Sequence, residues 1–404
     1  MPGAKDKLGL WVIGAAGGVG GSVALGLAAL SKPGADRSGL VTALPEFDRA
    51  RLIDPKRIVF GGHEIRAETL RRSVRVLHTQ AGLYDAALLK TCAPALGTMQ
   101  RNIRPGTMIG AGRVVAGLCD RSDIPEDTTA ASAVRRLAQD IEAFRTRHKL
   151  ARVVVVHAAS SEPTPARSAL PKSGFAMLGR ALRRRGACPL PTSSVYALAA
   201  IEAGCAYVNF TPSTGIDLCP LREHAAAVGL PFMGRDGKTG ETLVKSALAP
   251  MFAKRNLPVL SWVGQNILGN RDGAVLGDPA TRASKIHSKE RTLRGTPGAG
   301  RAPATHVSID YVPSLADWKV AWDFIHFSGF LGTKMSLQFT WQGADSALAA
   351  PLIIDLARLA DLEMRRGATG AMKHLGFFFK DPMASDELDL FAQWQTLVAH
   401  VDGG

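Results

Sequence analysis

Residues 8–13, LGLWVI, carry no charged side chain and run into Gly14-Ala15-Ala16-Gly17-Gly18-Val19-Gly20-Gly21, after which alanine and leucine dominate to about Leu30. A short apolar run without polar alternation, stopped by glycine, reads as a strand covered on both faces. Strands buried in that way are parallel and need helical crossovers, so this opening predicts a doubly wound α/β sheet. Glycines between such a strand and a helix permit a tight turn. They also let a pyrophosphate approach the helix N-terminus, where free N–H groups and the dipole favour an anion. The turn therefore predicts a dinucleotide site on Gly14, Gly17, Gly18, Val19, Gly20 and Gly21; a turn that merely packs helix on sheet is the alternative.

The following residues continue the alternation. Residues 31–56 are rich in proline, glycine and charge and read as a surface insertion, and Arg57 to Ile65 is the next strand. Glu64, near its end, is assigned to the adenosine ribose. A carboxylate there accepts from the 2′-hydroxyl and repels a 2′-phosphate, which favours NAD over NADP. His63 and Arg66 flank it. A helix over Ala130–His148 leads to the strand Arg152–His157 and the polar turn Ala159–Pro163; a helix over Ser193–Gly204 leads to the strand Tyr207–Phe210. Further on, His306–Val312 and Lys334–Trp341 have strand character, so Thr242 to about Asp345 reads as a separate α+β unit. From Ser346 the stretch ALAAPLIIDLARLADL is a strongly apolar helix placed to return to the first domain.

The net charge of +14, from 49 Lys and Arg against 35 Asp and Glu, admits nucleic acid, acidic membranes or phosphorylated metabolites. The excess sits in short runs at Arg71-Arg72, Arg135-Arg136 and Arg183–Arg185, read as solvated surface, and no nucleic-acid-binding motif accompanies it. No stretch approaches the roughly 20 apolar residues of a membrane span. The start runs directly into the first strand, which leaves no room for a secretory leader and makes a cytoplasmic protein the expectation. Five cysteines form no CxxC and are odd in number, so neither a disulfide framework nor a zinc knuckle is indicated.

The stretch Arg282–Lys289, RASKIHSK, follows NILGNRDG (Asn266–Gly273), which reads as a tight turn. On a helix, Lys285 and Lys289 share a face, and each depresses the other's pKa unless an anion sits between them. A lysine so placed serves as a proton acceptor near neutral pH or as a clamp on a developing oxyanion. A solvated basic helix end is the other reading.

Taken in order, the motifs resemble the inositol-phosphate synthase family along most of the length. PEFDRARLIDPKRIVFGGHEI is similar to P-x-F…IVFGGWDI, and VVVVHAASSEP to a strand ending in A-N-T-E. RDGKTGETLVKS matches D-x-K-S-G-Q-T-x-x-K-S, NILGNRDG matches N-H-L-G-N-N-D-G, SKIHSK matches S-K-E-I-S-K, and YVPSLADWK matches a segment ending G-D-S-K. ADSALAAPLIIDL and GFFFKDP complete the series. The resemblance implies a Rossmann domain built from residues 1–242 and 346–404, with a catalytic and oligomerisation domain, 243–345, inserted, and a homo-oligomer, expected to be a tetramer. It implies active-site lysines at Lys285, Lys289, Lys319 and Lys380, and acidic residues at Asp236, Asp272 and Asp345. The phosphate loop falls on Lys238, Thr239, Gly240, Glu241 and Thr242. The cofactor site falls on the glycine turn, Glu64, Ser160, Ser161 and Asp345.

The implied reaction is redox-neutral: NAD oxidises a hydroxyl of glucose 6-phosphate or a close relative to a ketone, a proton beside the ketone is removed, an aldol step closes the ring, and the NADH reduces the ketone again. Fixed cations stabilise the enolate and aldolate more than the starting sugar, which lowers the barrier. Lys285 is assigned as acid/base at the oxidised carbon, Lys319 and Lys380 as donors at the aldol centre, and Lys289 to the phosphate. Departures fall at Glu241 for glutamine, Thr239 for serine, Ile267 for histidine, Arg271 for asparagine and Ser160-Ser161 for Asn-Thr. A carboxylate at Glu241 repels a phosphate unless it turns away or meets a cation. A paralogue closing a different carbocycle, or a non-catalytic NAD- or sugar-phosphate-binding regulator, are the alternatives; the four lysines argue against the regulator.

Overall fold

The structure, a computed structural model, describes residues 6–163, 174–186, 188–270 and 303–403. Seven strands form the larger sheet: β1 (Leu8–Ile13), β2 (Ile58–Glu64), β3 (Ile103–Pro105), β4 (Arg152–His157), β5 (Ala206–Asn209), β6 (Pro231–Gly234) and β11 (Gly370–Ala371). Their order is β11-β6-β5-β4-β1-β2-β3, and every pairing is parallel. Val153 to Val156 of β4 are completely buried, because helices cover both faces. The chain winds outward from β1 in two directions. The carboxyl ends of β1 and β4 therefore border the crevice where open α/β sheets bind ligands.

The apolar stretch from Ser346 forms the helix Asp345–Arg365, which returns to the first domain and packs on β4 and on the helix Gly18–Leu30. Its Ile353, Leu356, Ala357 and Ala360 are completely buried. The same helix corrects the reading of residues 31–56 as a surface insertion. Leu40, Phe47, Ala50 and Ile53 are buried, the Asp355 carboxylate accepts from the backbone N–H of Val41 (2.7 Å) and Thr42 (3.3 Å), and Arg358 Nε donates to the Ile53 carbonyl (2.8 Å). Proline, glycine and charge mark irregular backbone here, yet apolar residues among them fold it against the domain. Arg136 is also corrected: it pairs with Asp127 at 2.7 Å and donates to the Pro105 and Gly106 carbonyls.

The smaller sheet has strands β7 (Val259–Leu268), β8 (Ala304–Tyr311), β9 (Trp318–Ser328) and β10 (Lys334–Ala344), in the order β10-β9-β7-β8. Asn266 to Leu268, expected in a tight turn, belong instead to β7, where Asn266 and Leu268 are buried. On β9 alternate residues face opposite ways. Ala321, Asp323 and Ile325 are buried under the helix Gly240–Lys254, while Trp322, Phe324 and His326 stack along the outer face.

Under that helix lies a fully buried triad. Lys245 Nζ is 2.5 Å from Glu241 and 3.1 Å from Asp323, and Trp262 Nε1 donates to Asp323 at 2.7 Å. Burial penalises the ammonium, but the two carboxylates outweigh it and hold the Lys245 pKa above its ordinary value. Burial, with Glu241 beside it, pushes Asp323 up to about 6 despite Lys245. The triad explains Gly264: a Cβ there would lie 2.9 Å from Lys245 Nζ and 3.0 Å from each carboxylate.

The C-terminal helix, Leu390–Asp402, is capped by Asp389, which accepts from the N–H groups of Phe391 and Ala392. Near its end His400 stacks on His374. Burial, with His400 and Arg366 close by, pushes His374 down to about 3, so its ring is neutral at physiological pH.

Candidate active site

A cavity of about 580 Å³ lies where the carboxyl ends of β1, β2 and β4 meet the start of β9 and of the helix Asp345–Arg365. One half of its wall is mostly uncharged backbone. Gly14, Gly17, Gly18 and Val19 line it, and the helix Gly18–Leu30 starts there without a side-chain cap, leaving its first N–H groups directed at the space. Close approach sets this geometry: a Cβ on Gly20 would lie 2.4 Å from the Ala15 carbonyl oxygen, and Gly14 has φ +84° against the Ala158-Ala159 turn. Gly20 and Gly21 sit behind the wall. Ser160 and Ser161, on the turn after β4, line the cavity as well.

Glu64 reaches the cavity edge with its carboxylate already engaged. It accepts from the N–H of Ala16 (2.9 Å) and of Ile65 (3.0 Å), and the Arg66 guanidinium lies 3.3 Å away. His63 sits beneath. Trp11 Nε1 donates to its Nδ1 at 3.0 Å, which leaves Nε2–H for Asp140 at 3.2 Å, and burial pushes its pKa down. The ring is thus a neutral spacer rather than a charge beside Glu64.

The other half is ionic. Lys380 and Asp236 form a buried pair at 2.9 Å, fixed by a backbone bond from Lys380 N to the Asp236 carbonyl (2.8 Å) and by left-handed backbone at Asp236, φ +59°. Lys319, second residue of central β9, enters from the smaller sheet. Asp345 opens its helix at the cavity, 3.5 Å from both Thr239 Oγ1 and Asn270 Nδ2. The structure therefore brings Lys319, Lys380, Asp236, Asp345 and Thr239 to one space with the glycine turn. Lys285, Lys289 and Asp272 lie outside the described residues.

The loop from Lys238 to Thr242 divides. Thr239 lines the cavity; Gly240 starts the helix with φ +53°, and Thr242 is buried behind it. The Lys238 ammonium turns away to Gln393 Oε1 at 2.5 Å, and burial pushes its pKa down to about 7. Glu241 turns away too, into the Lys245 triad, so it meets a cation without facing the cavity.

Two buried carboxyls on the wall escaped the sequence reading. Asp317 accepts from Ser346 N (3.0 Å) and Oγ (2.7 Å), capping the helix Asp345–Arg365; burial pushes it up to about 6. Glu162 accepts from Ser193 N and Oγ, both at 2.8 Å, and burial pushes it up to about 7. Each stands beside an assigned residue, Asp317 two before Lys319 and Glu162 next to Ser161. Adjacency to those motifs was the available signal.

The family model described as myo-inositol-1-phosphate synthase, of the NAD-binding kind, matches residues 8–401. Inositol-3-phosphate synthase 1 of Bacteroides thetaiotaomicron is 32% identical over 417 aligned positions, covering 97% of this chain and 94% of that protein. The inositol-3-phosphate synthase of Trypanosoma brucei brucei is 31% identical over 329 positions, 78% of this chain but 60% of that longer protein. Among solved structures, the inositol-3-phosphate synthase of Caenorhabditis elegans superposes with a TM-score of 0.86 at 23% identity, covering 98% of this chain and 85% of that one. A myo-inositol-1-phosphate synthase-related protein of Thermotoga maritima gives 0.73 at 21% identity, with 98% of both chains covered. These structures share the fold.

Proposed function

The chain belongs to the myo-inositol-1-phosphate synthase family, and from that premise we propose that it converts glucose 6-phosphate, or a closely related sugar phosphate, into a cyclitol phosphate without net redox change. It is an enzyme, and its cofactor is NAD. The described residues fit that cofactor: the glycine turn leaves a cradle that side chains would fill, at an uncapped helix N-terminus suited to a pyrophosphate. Bound in that cradle, NAD would supply reversible hydride transfer with the sugar.

The observation that carries the reading is the meeting of that cradle with two buried lysines, Lys319 and Lys380, in one cavity. A dehydrogenase needs one acid/base; a cyclase must also stabilise an enolate and an aldolate, and two fixed ammonium groups suit those oxyanions. Asp236 holds the Lys380 ammonium in place, so no reorganisation is needed as charge develops. Thr239 Oγ1 and the start of the helix Gly240–Lys254, which has no side-chain cap, offer donors to the phosphate. Lys285 at the oxidised carbon and Lys289 at the phosphate complete the assignment by family resemblance. We assign self-association to the outer face of the smaller sheet, where exposed Trp322 and half-buried Phe324 and His326 stack; light scattering tests it.

The deciding experiment incubates the protein with NAD and a panel of hexose and pentose phosphates. The expected outcome is an isomeric cyclitol phosphate by NMR with no net NADH. NADH accumulating in step with product, or no turnover of any sugar phosphate, would overturn the reading.

A further inference from the structure

Remote from the cavity, three side chains from three elements converge: Glu363 near the end of the helix Asp345–Arg365, His374 in the short turn Lys373–Phe378, and His400 in the C-terminal helix. The imidazoles stack face to face, with centroids 3.6 Å apart and planes within 6°, and both present Nε2 to the same carboxylate oxygen, Glu363 Oε1. His400 reaches it at 2.9 Å. His374 stops at 3.8 Å, and although it is nine-tenths buried its ring has no hydrogen bond among the described residues.

A glutamate–histidine ion pair accounts for His400 alone. It leaves a second, largely buried imidazole facing the same oxygen from 3.8 Å, beyond hydrogen-bond reach. The geometry points to a site for a divalent transition-metal ion of the zinc class held by Glu363, His374 and His400. In a tetrahedral zinc site with bonds of about 2.0–2.1 Å, neighbouring ligand atoms lie roughly 3.3 Å apart. The 2.9 and 3.8 Å separations straddle that edge, and all three ligand atoms fall within 4.8 Å of one another; because an imidazole lone pair lies in its ring plane, binding turns the more exposed His400 ring out of the parallel stack so that both Nε2 atoms meet the ion. Two imidazole nitrogens and a carboxylate suit zinc, cobalt or nickel better than calcium or magnesium, which prefer oxygen. His400 is 38% exposed, so water completes the shell.

Arg366 is the one further charge at the cluster among the described residues. Its Nη1 lies 3.3 Å from Glu363 Oε1 and donates to the His400 carbonyl, while Nη2 donates to the Val401 carbonyl. Its charge opposes the ion's, but as an outer partner it fixes the carboxylate and the end of the C-terminal helix. An ion here would cross-link that helix to the body of the domain. The same helix carries Gln393, which holds Lys238 immediately before the cavity-lining Thr239.

Tag-free protein stripped with chelator and titrated with Co²⁺ tests the site. One equivalent should bind at micromolar concentration or below, with the visible absorption of tetrahedral cobalt, and Zn²⁺ should displace it. His374→Gln and His400→Gln should each weaken binding by about 10- to 100-fold, whereas Cys219→Ser, at an exposed thiol, should not. His400 is half exposed, so its variant remains informative if loss of the buried His374 impairs folding. No stoichiometric Co²⁺ binding to the unaltered protein, or undiminished binding in His400→Gln, would overturn the site.

Discussion

The two halves of the cavity are built from different materials. The cofactor half is mostly backbone: glycines, an uncapped helix start and serines on a turn, with Glu64 paired to Arg66 at its edge. The substrate half is largely buried ions: Lys380 on Asp236, with Lys319 and Asp317 around them, half-buried Asp345 at the helix start, and the Lys245 triad just behind. Backbone donors cannot change charge, whereas a buried ion depends on its partner. The cofactor half should therefore tolerate loss of a side chain far better than the substrate half, where each loss strands a charge.

The largest effect is expected at Lys380→Met. Methionine keeps the stem and removes the ammonium, and turnover should fall by about 10²- to 10⁴-fold. NAD binding by calorimetry should be retained, because the glycine half is untouched; equal loss of both would erase the distinction between halves. Lys245→Met should follow, with no loss of NAD affinity in the folded protein but about 3–5 kcal/mol of stability lost by urea denaturation, since Glu241 and Asp323 are left buried together. Glu241→Gln leaves Lys245 matched to Asp323. It should move stability by less than about 1 kcal/mol and leave the sugar-phosphate Michaelis constant unchanged, because Glu241 does not face the cavity.

The pH response distinguishes the halves further. Asp323 is raised from 3.8 to about 6 in the folded chain, so the folded state holds its proton over a range in which the unfolded state has released it. Its contribution to stability is full below about pH 4 and is lost as pH rises through about 6, a change on the order of 1–3 kcal/mol. Urea midpoints for Asp323→Asn should lack that decline; an identical profile would remove Asp323 from the account. On the cofactor side, Glu64→Gln should narrow a preference for NAD over NADP by roughly tenfold. Calorimetry showing no preference in the unaltered protein would mean that Arg66 already cancels Glu64.

The contrast also governs what the sequence revealed. LGLWVI and its glycines announce the parallel sheet and the turn because backbone geometry restricts residue type locally. Lys380 and Asp236 are 144 residues apart, and no local rule joins them; they were placed by resemblance, as was Lys319. Glu241 was foreseen as a repulsive charge to be turned away or neutralised, but its partner Lys245 was not. Gly264, open to any reading as a strand residue, is intelligible only with the triad against it. Residues 31–56 were misjudged because their anchor, Asp355, lies three hundred residues further on.

The chain enters the smaller sheet through the helix beginning at Gly240 and leaves it into the helix beginning at Asp345, and both starts lie beside the cavity, linked by Thr239 and Asp345. The two crossing points form a short axle. A rotation of the smaller sheet about that axle would displace its far tip, at Phe330 and Leu331, through a long arc while moving Thr239 and Asp345 very little. Lys319, beside Asp317 and Trp318, which bond to Ser346 and to the Ala81 carbonyl, would move little with them. Lys319 is thus aimed from the hinge end of the sheet, where its neighbour Trp318 donates to the Ala81 carbonyl at 2.7 Å and Asp317 holds Ser346, rather than from the distant hairpin.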